Sequence, residues 1–221
     1  MDKQEALLCS RICRLTYVPK YEFKDFVLTA RFENKDTDTQ GLFGVAKGDT
    51  FVVAFRGTEE TSLTDWLTDL KFNQRIFPYG DASTSIKVHS GFLEAYNSVR
   101  EATMDAAKNT DLKRIMITGH SLGAALGNLY ALDISYRILG PEIVCYTFGG
   151  PKPGNEAFAK LYDGRLPNTF RVVNGADGVP KLPLGAYVHV GKLQQIGDFG
   201  RLAEAVTDHI PNAYIETLQN L

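Results

Sequence analysis

Residues 114–139 read RIMITGHSLGAALGNLYALDISYRIL. An apolar run enters Gly119-His120-Ser121-Leu122-Gly123, and a run rich in Ala and Leu leaves it towards Gly140-Pro141. A short β-branched and apolar run reads as a strand, and the longer run as a helix with a stop signal after it. A strand that turns directly into a helix restricts the fold severely, because the helix must pack back over its own sheet. The rest of the chain has the same rhythm. Helices are expected over residues 4–15, 63–70, 91–109, 122–139, 155–162 and 210–218. Strands are expected over 25–32, 42–46, 51–55, 114–118, 143–148, 170–173 and 187–190. Strands alternating with helices imply an α/β fold with a mostly parallel central sheet and helices on both faces. In such sheets the ligand lies beyond the C-terminal ends of the strands.

The 221 residues, with no linker or internal repeat, suggest one domain over residues 1–221. A formal net charge of −2 gives no reason to expect nucleic acid as a partner. No apolar run approaches the roughly 20 residues of a transmembrane segment. The start, MDKQEALLCSRIC, has no signal-peptide character, and only three Cys are present; the expectation is a cytoplasmic protein. Cys9 and Cys13 read as small buried apolar residues, since no His or Asp cluster accompanies them.

The Gly-flanked Ser has a mechanical rationale. In a G-x-S-x-G turn the Ser backbone is strained, and side chains on its neighbours would collide with the adjoining strand or helix. The turn lifts the Ser hydroxyl above the sheet and leaves the Leu122 N–H at a helix N-terminus, where it can stabilise an oxyanion. Ser121 is therefore a candidate nucleophile, and it needs a base and an orienting carboxylate. Of the four His, His120 adjoins the Ser and points away, and His89 precedes it. The chain order Ser, acid, His leaves His189 and His209. His209 is favoured, because a base on a loop beyond the last strand can reach over the Ser; His189 lies in an expected strand and reads as structural. Asp177 directly follows the strand at 170–173 and is the favoured acid over Asp133, Asp163, Asp198 and Asp208, although an Asp-Gly pair is also a common turn.

These residues resemble the class 3 lipases, the fungal-lipase-like branch of the α/β-hydrolases. FRGT (55–58), DWLTDL (65–70), VHSGF (88–92), GHSLG, TFGGPKPGN (147–155), RVVNGADGVPKLP (171–183), YVHVG (187–191) and a final His-x-x-x-x-Tyr at His209 follow one another in the family's order. The resemblance implies an α/β-hydrolase fold and a triad of Ser121, Asp177 and His209. It places Thr58 beside Leu122 in the oxyanion hole. Two departures stand out: Ala124 occupies a position where the family often has a second Gly, and no disulfide pattern is visible.

Leu63, Trp66, Leu67 and Leu70 recur at helical spacing, with Ser62 and Asp65 placed for a capping box. The stripe is either an ordinary packed helix or a lid over the substrate site, and its position just after Thr58 favours the lid. The expected activity is hydrolysis of acylglycerols or related fatty acyl esters through an acyl-enzyme. A phospholipase and a catalytically silent lipid-binding domain are the alternatives. The expected partners are a lipid or small ester substrate and transient contact with a lipid interface. The chemistry requires no metal or cofactor.

Overall fold

The computed structural model describes residues 1–18, 20, 23–47, 49–59, 73–80, 83–108, 113–198 and 205–221. Among these, seven strands form one sheet in the order β1-β2-β3-β6-β7-β8-β9. They are β1 (Phe26–Asn34), β2 (Thr39–Ala46), β3 (Thr50–Phe55), β6 (Arg114–His120), β7 (Glu142–Phe148), β8 (Thr169–Asn174) and β9 (Lys192–Ile196). The first three are antiparallel neighbours, and β3, β6, β7, β8 and β9 run parallel. A short antiparallel pair, β4 (Gln74–Ile76) with β5 (Lys87–His89), stands apart from the sheet.

The inner strands read as continuous apolar runs because both faces are covered. Side chains alternate between two cores with a period of two residues. Phe51, Val53, Phe55, Ile115, Ile117 and Cys145 join one core. Val52, Ala54, Met116, Val144, Tyr146 and Phe148 join the other. The first core lies under helices α2 (Ser90–Lys108), α3 (Leu122–Arg137) and α4 (Glu156–Arg165). The second lies under α1 (Lys3–Tyr17) and α5 (Pro211–Asn220). In α1, Asp2 caps the first turn by accepting from the Glu5 N–H at 2.9 Å, and Ala6, Cys9, Ile12 and Cys13 form the buried face. Burying a side chain such as Ile12 contributes about 1.5–3 kcal/mol. α3 is buried almost all round, from Gly123 to Ser135, as its uniformly apolar composition requires.

One expected strand is corrected. Residues 187–190 form no strand; Val188 makes an isolated bridge to Gly154. The sheet is instead extended by β9, five residues further on, where the exposed Leu193 and a Gln pair follow Gly191 at φ +75°. The imidazole of His189 is held by the Pro180 carbonyl, Nε2 to oxygen 2.7 Å, which turns this segment away from the ladder. The expected helix over 63–70 lies outside the described residues. No described helix is long and apolar enough to cross a membrane.

Candidate active site

At the C-terminal end of β6 the backbone turns at Ser121 with φ +56° and ψ −127°, a conformation that costs energy for a residue with a side chain. Close packing fixes the glycines around it. A Cβ on Gly119 would stand 2.2 Å from the Gly123 carbonyl oxygen, and one on Gly123 would stand 2.2 Å from the Phe55 carbonyl oxygen. The Ser121 N–H donates to the Phe148 carbonyl at 3.0 Å, which pins the turn to the end of β7. Ala124, the departure from the expected Gly, places its methyl group against Gly150, where a Cβ would come within 2.6 Å.

Two loops meet above this turn. The loop after β8 carries Asp177, and the loop before α5 carries His209; both residues are buried. Asp208 ties the loops together by accepting from the Ala176 N–H at 2.7 Å, and the Asn174 amide donates to the Asp208 carbonyl at 3.1 Å. His209 Nδ1 lies 2.8 Å from Asp177 Oδ2 and 3.0 Å from Oδ1. A carboxylate can only accept, so Nδ1 carries the proton. Asp177 also accepts from the Val179 N–H at 2.9 Å and from the Tyr214 hydroxyl at 2.6 Å. Burial first, and then the Asp177 charge, push the Tyr214 phenol well above its ordinary pKa, so it remains a donor. The floor of the site is Gly149 at φ +57°, where a Cβ would stand 2.6 Å from Asp177 Oδ2 and 2.9 Å from His209 Nδ1.

Ser121 Oγ and His209 Nε2 are both buried and, among the described residues, both without a hydrogen-bond partner. The two atoms are not hydrogen-bonded to each other; Phe148, which accepts from the Ser121 N–H, and Gly149, which packs on the Asp177–His209 pair, are consecutive residues and set the two groups on neighbouring backbone. The segment after β3 packs against the same turn. A Cβ on Gly57 would lie 2.4 Å from the His120 carbonyl oxygen and 2.9 Å from Ser121 Cβ. Arg56 anchors this segment through its N–H to the Gln40 carbonyl at 2.9 Å and its Nη1 to Gln40 Oε1 at 2.6 Å. Thr58 follows directly, and Leu122 is the first residue of α3, where backbone N–H groups have no intrahelical acceptor.

The structure thus pairs Asp177 with His209, keeps Leu122 next to Ser121 at the start of α3, and packs Gly57, the residue before Thr58, against Ser121. Leu63, Trp66, Leu67 and Leu70 lie outside the described residues. The rival acids are elsewhere. Asp163 accepts from the Gly191 N–H at 2.7 Å, Asp198 is exposed, and Asp133 is buried in α3 among Arg100, Arg137 and Tyr96. His189 stays neutral, its pKa pushed down to about 4 by burial and then by Arg171.

Sequence reasoning gave no role to Tyr214, although the His-x-x-x-x-Tyr spacing signalled it, and none to Tyr17. It had no signal for Tyr17, whose hydroxyl lies 2.9 Å from His120 Nδ1 across 103 positions of sequence.

Comparison with known proteins finds relatives of this chain. The model of the family described as Lipase (class 3) matches residues 52–187. A secreted mono- and diacylglycerol lipase of Malassezia globosa is 38% identical over 141 residues, 59% of this chain and 46% of that protein. A lipase of Rhizomucor miehei is 35% identical over 173 residues, 73% of this chain and 46% of that protein. The solved structure of the Rhizomucor miehei triacylglyceride lipase superposes with a TM-score of 0.74 at 28% identity, covering 89% of this chain and 82% of that one. The fold is the α/β-hydrolase fold. The chain spans about half the length of the curated relatives it matches.

These relatives correct the expected cytoplasmic location, because the Malassezia globosa lipase is a secreted protein. A secretory leader is not part of a folded domain, so where this sequence begins carries no information about compartment. The three Cys, all buried free thiols, carry none either.

Proposed function

The chain belongs to the class 3 lipase family, and from that premise we propose that it hydrolyses carboxylic esters of fatty acyl chains with Ser121 as nucleophile, His209 as general base and Asp177 as orienting acid. The observation that carries this reading is the pair of buried atoms, Ser121 Oγ and His209 Nε2, that have no partner among the described residues, the other imidazole nitrogen being committed to Asp177. Nδ1 holds the proton, so Nε2 is the basic nitrogen.

In the proposed cycle His209 Nε2 takes the Ser121 proton as Oγ attacks the ester carbonyl. Asp177 stabilises the imidazolium that forms. The Leu122 and Thr58 N–H groups hold the oxyanion, and each such donor is typically worth about 100- to 1,000-fold in turnover. Nε2 returns the proton to the departing alcohol. Water, activated by the same nitrogen, then releases the acid from Ser121. No metal or cofactor enters this sequence of steps.

Acylglycerols are the proposed substrate class, supported by relatives that are mono- and diacylglycerol or triacylglyceride lipases. The apolar stripe of Leu63, Trp66, Leu67 and Leu70, five residues after Thr58, is proposed to cover the acyl chain and to meet a lipid surface transiently. One domain over residues 1–221 holds the whole constellation in this reading, and the secreted relative supports action outside the cell.

The test is the initial rate on p-nitrophenyl esters from acetyl to palmitoyl, with Ser121→Ala alongside. Turnover that rises with chain length and vanishes in the variant supports a lipolytic serine hydrolase. A peak at acetyl points to a short-chain esterase. Equal rates in parent and variant overturn the nucleophile.

A further inference from the structure

Beneath the Ser121 turn runs a chain of hydrogen bonds that the proposed cycle does not use. The Gly57 N–H donates to the Tyr17 hydroxyl oxygen at 3.0 Å. The Tyr17 hydroxyl lies 2.9 Å from His120 Nδ1. His120 Nε2 lies 2.5 Å from the backbone carbonyl of His209. The two imidazoles are 4.6 Å apart, centre to centre.

The partners fix every proton. A carbonyl accepts only, so His120 Nε2 carries hydrogen. Burial, and then the neighbouring His209, push the His120 pKa well below 6.5, so the ring is neutral and Nδ1 is an acceptor. Tyr17 then donates to Nδ1 and accepts from Gly57. All the donors point the same way, from Gly57 towards His209.

The ends of this chain are the two parts of the site that arrive on separate segments. Gly57 immediately precedes Thr58, and the other end is the backbone of His209. Those segments lie 152 positions apart in sequence, and His120, next to Ser121, stands between them. Tyr17, the last residue of α1, lies outside the 52–187 match to the family model.

We propose that Tyr17 and His120 are positioning residues that lock the oxyanion segment and the catalytic histidine in register about Ser121. They touch neither substrate nor the reacting atoms, and act through the backbones of Gly57 and His209. The proposal rests on the catalytic reading of Ser121 and His209 given above. A loss of geometry at a reacting centre of about 1 Å can cost about 100-fold in rate, so the expected effect lies in kcat.

The experiment measures kcat and KM on p-nitrophenyl butyrate for the parent, Tyr17→Phe, His120→Asn, His120→Gln and Ser121→Ala. Tyr17→Phe removes one oxygen atom and with it the bonds to Gly57 and His120. His120→Asn keeps an acceptor for Tyr17 and cannot reach the His209 carbonyl. His120→Gln keeps an N–H at the reach of Nε2 and loses the fit to Tyr17. Tyr17→Phe and His120→Asn are expected to lower kcat by about 10- to 100-fold, with KM and melting temperature close to the parent's, and His120→Gln to recover part of the loss. Parental kcat in both Tyr17→Phe and His120→Asn overturns the proposal. Full turnover in Ser121→Ala overturns the catalytic reading instead. Nitrogen-15 NMR of the imidazoles in the unmodified protein gives a readout independent of activity and of the variants' folding. A proton on His120 Nε2 is expected, and one on Nδ1 overturns the relay.

Discussion

Two buried carboxylates on this chain have opposite surroundings. Asp133, inside α3, accepts from Arg100 Nε at 2.6 Å, Arg137 Nε at 2.9 Å and the Tyr96 hydroxyl at 2.7 Å. Permanent cations cancel its charge, so nothing about it needs to change. Asp177 accepts from a backbone N–H, a phenol and an imidazole, none of which carries a fixed positive charge. Its negative charge is compensated only when His209 takes a second proton. The difference separates a carboxylate that holds a core together from one arranged to stabilise a cation that exists transiently. The histidines divide in the same way. Among the described residues each has one buried nitrogen without a partner, but the other nitrogen of His209 faces the Asp177 carboxylate, whereas that of His189 faces a neutral carbonyl, and Arg171 nearby keeps the His189 ring neutral.

Exchanging each carboxylate for its amide breaks the comparison most sharply. Asp177→Asn is expected to lower kcat by about 10,000-fold, as loss of the orienting acid does in such triads, with circular dichroism unchanged. A loss below tenfold would make Asp177 structural. Tyr214→Phe removes one of three donors to the same carboxylate and is expected to cost about tenfold in kcat; the steady-state rate on a soluble ester checks it. Asp133→Asn leaves the buried Arg100 with only the exposed Glu101 carboxylate as counter-charge and should cost about 3–5 kcal/mol in urea unfolding, while kcat per folded molecule stays at the parent's value. The pH response sharpens the contrast between the histidines. The folded-state pKa of His189 is depressed to about 4 from 6.5. Below 6.5 the unfolded chain binds a proton that the folded chain refuses, so stability falls as pH drops from 6.5 towards 4 and levels off below. Between pH 8 and pH 5 this amounts to about 2 kcal/mol, which His189→Gln should remove.

Much of this was legible in the sequence for a physical reason. β3, β6, β7 and β8 are buried on both faces and read as short apolar runs, and the Ser121 turn advertises its steric limits through Gly119 and Gly123. Asp177 and His209 could be ranked first because each sits on a loop at the correct end of the sheet. What was not legible depends on contacts rather than composition. β9 is a polar edge strand whose only signal is its ladder to β8, whereas the more apolar 187–190 imitates a strand. β4 and β5, at three residues each, are too short for any periodicity. Tyr214 was visible as a spacing without a role, and the Tyr17–His120 contact joins residues 103 positions apart.

The most direct test of the central claim is intact-mass and peptide mapping after exposure to a fluorophosphonate. The account predicts one adduct per chain, on Ser121, formed by the parent and by Asp133→Asn and strongly slowed in Asp177→Asn and His209→Ala. An adduct on another residue, or labelling of Ser121 at the parental rate without His209, would contradict it.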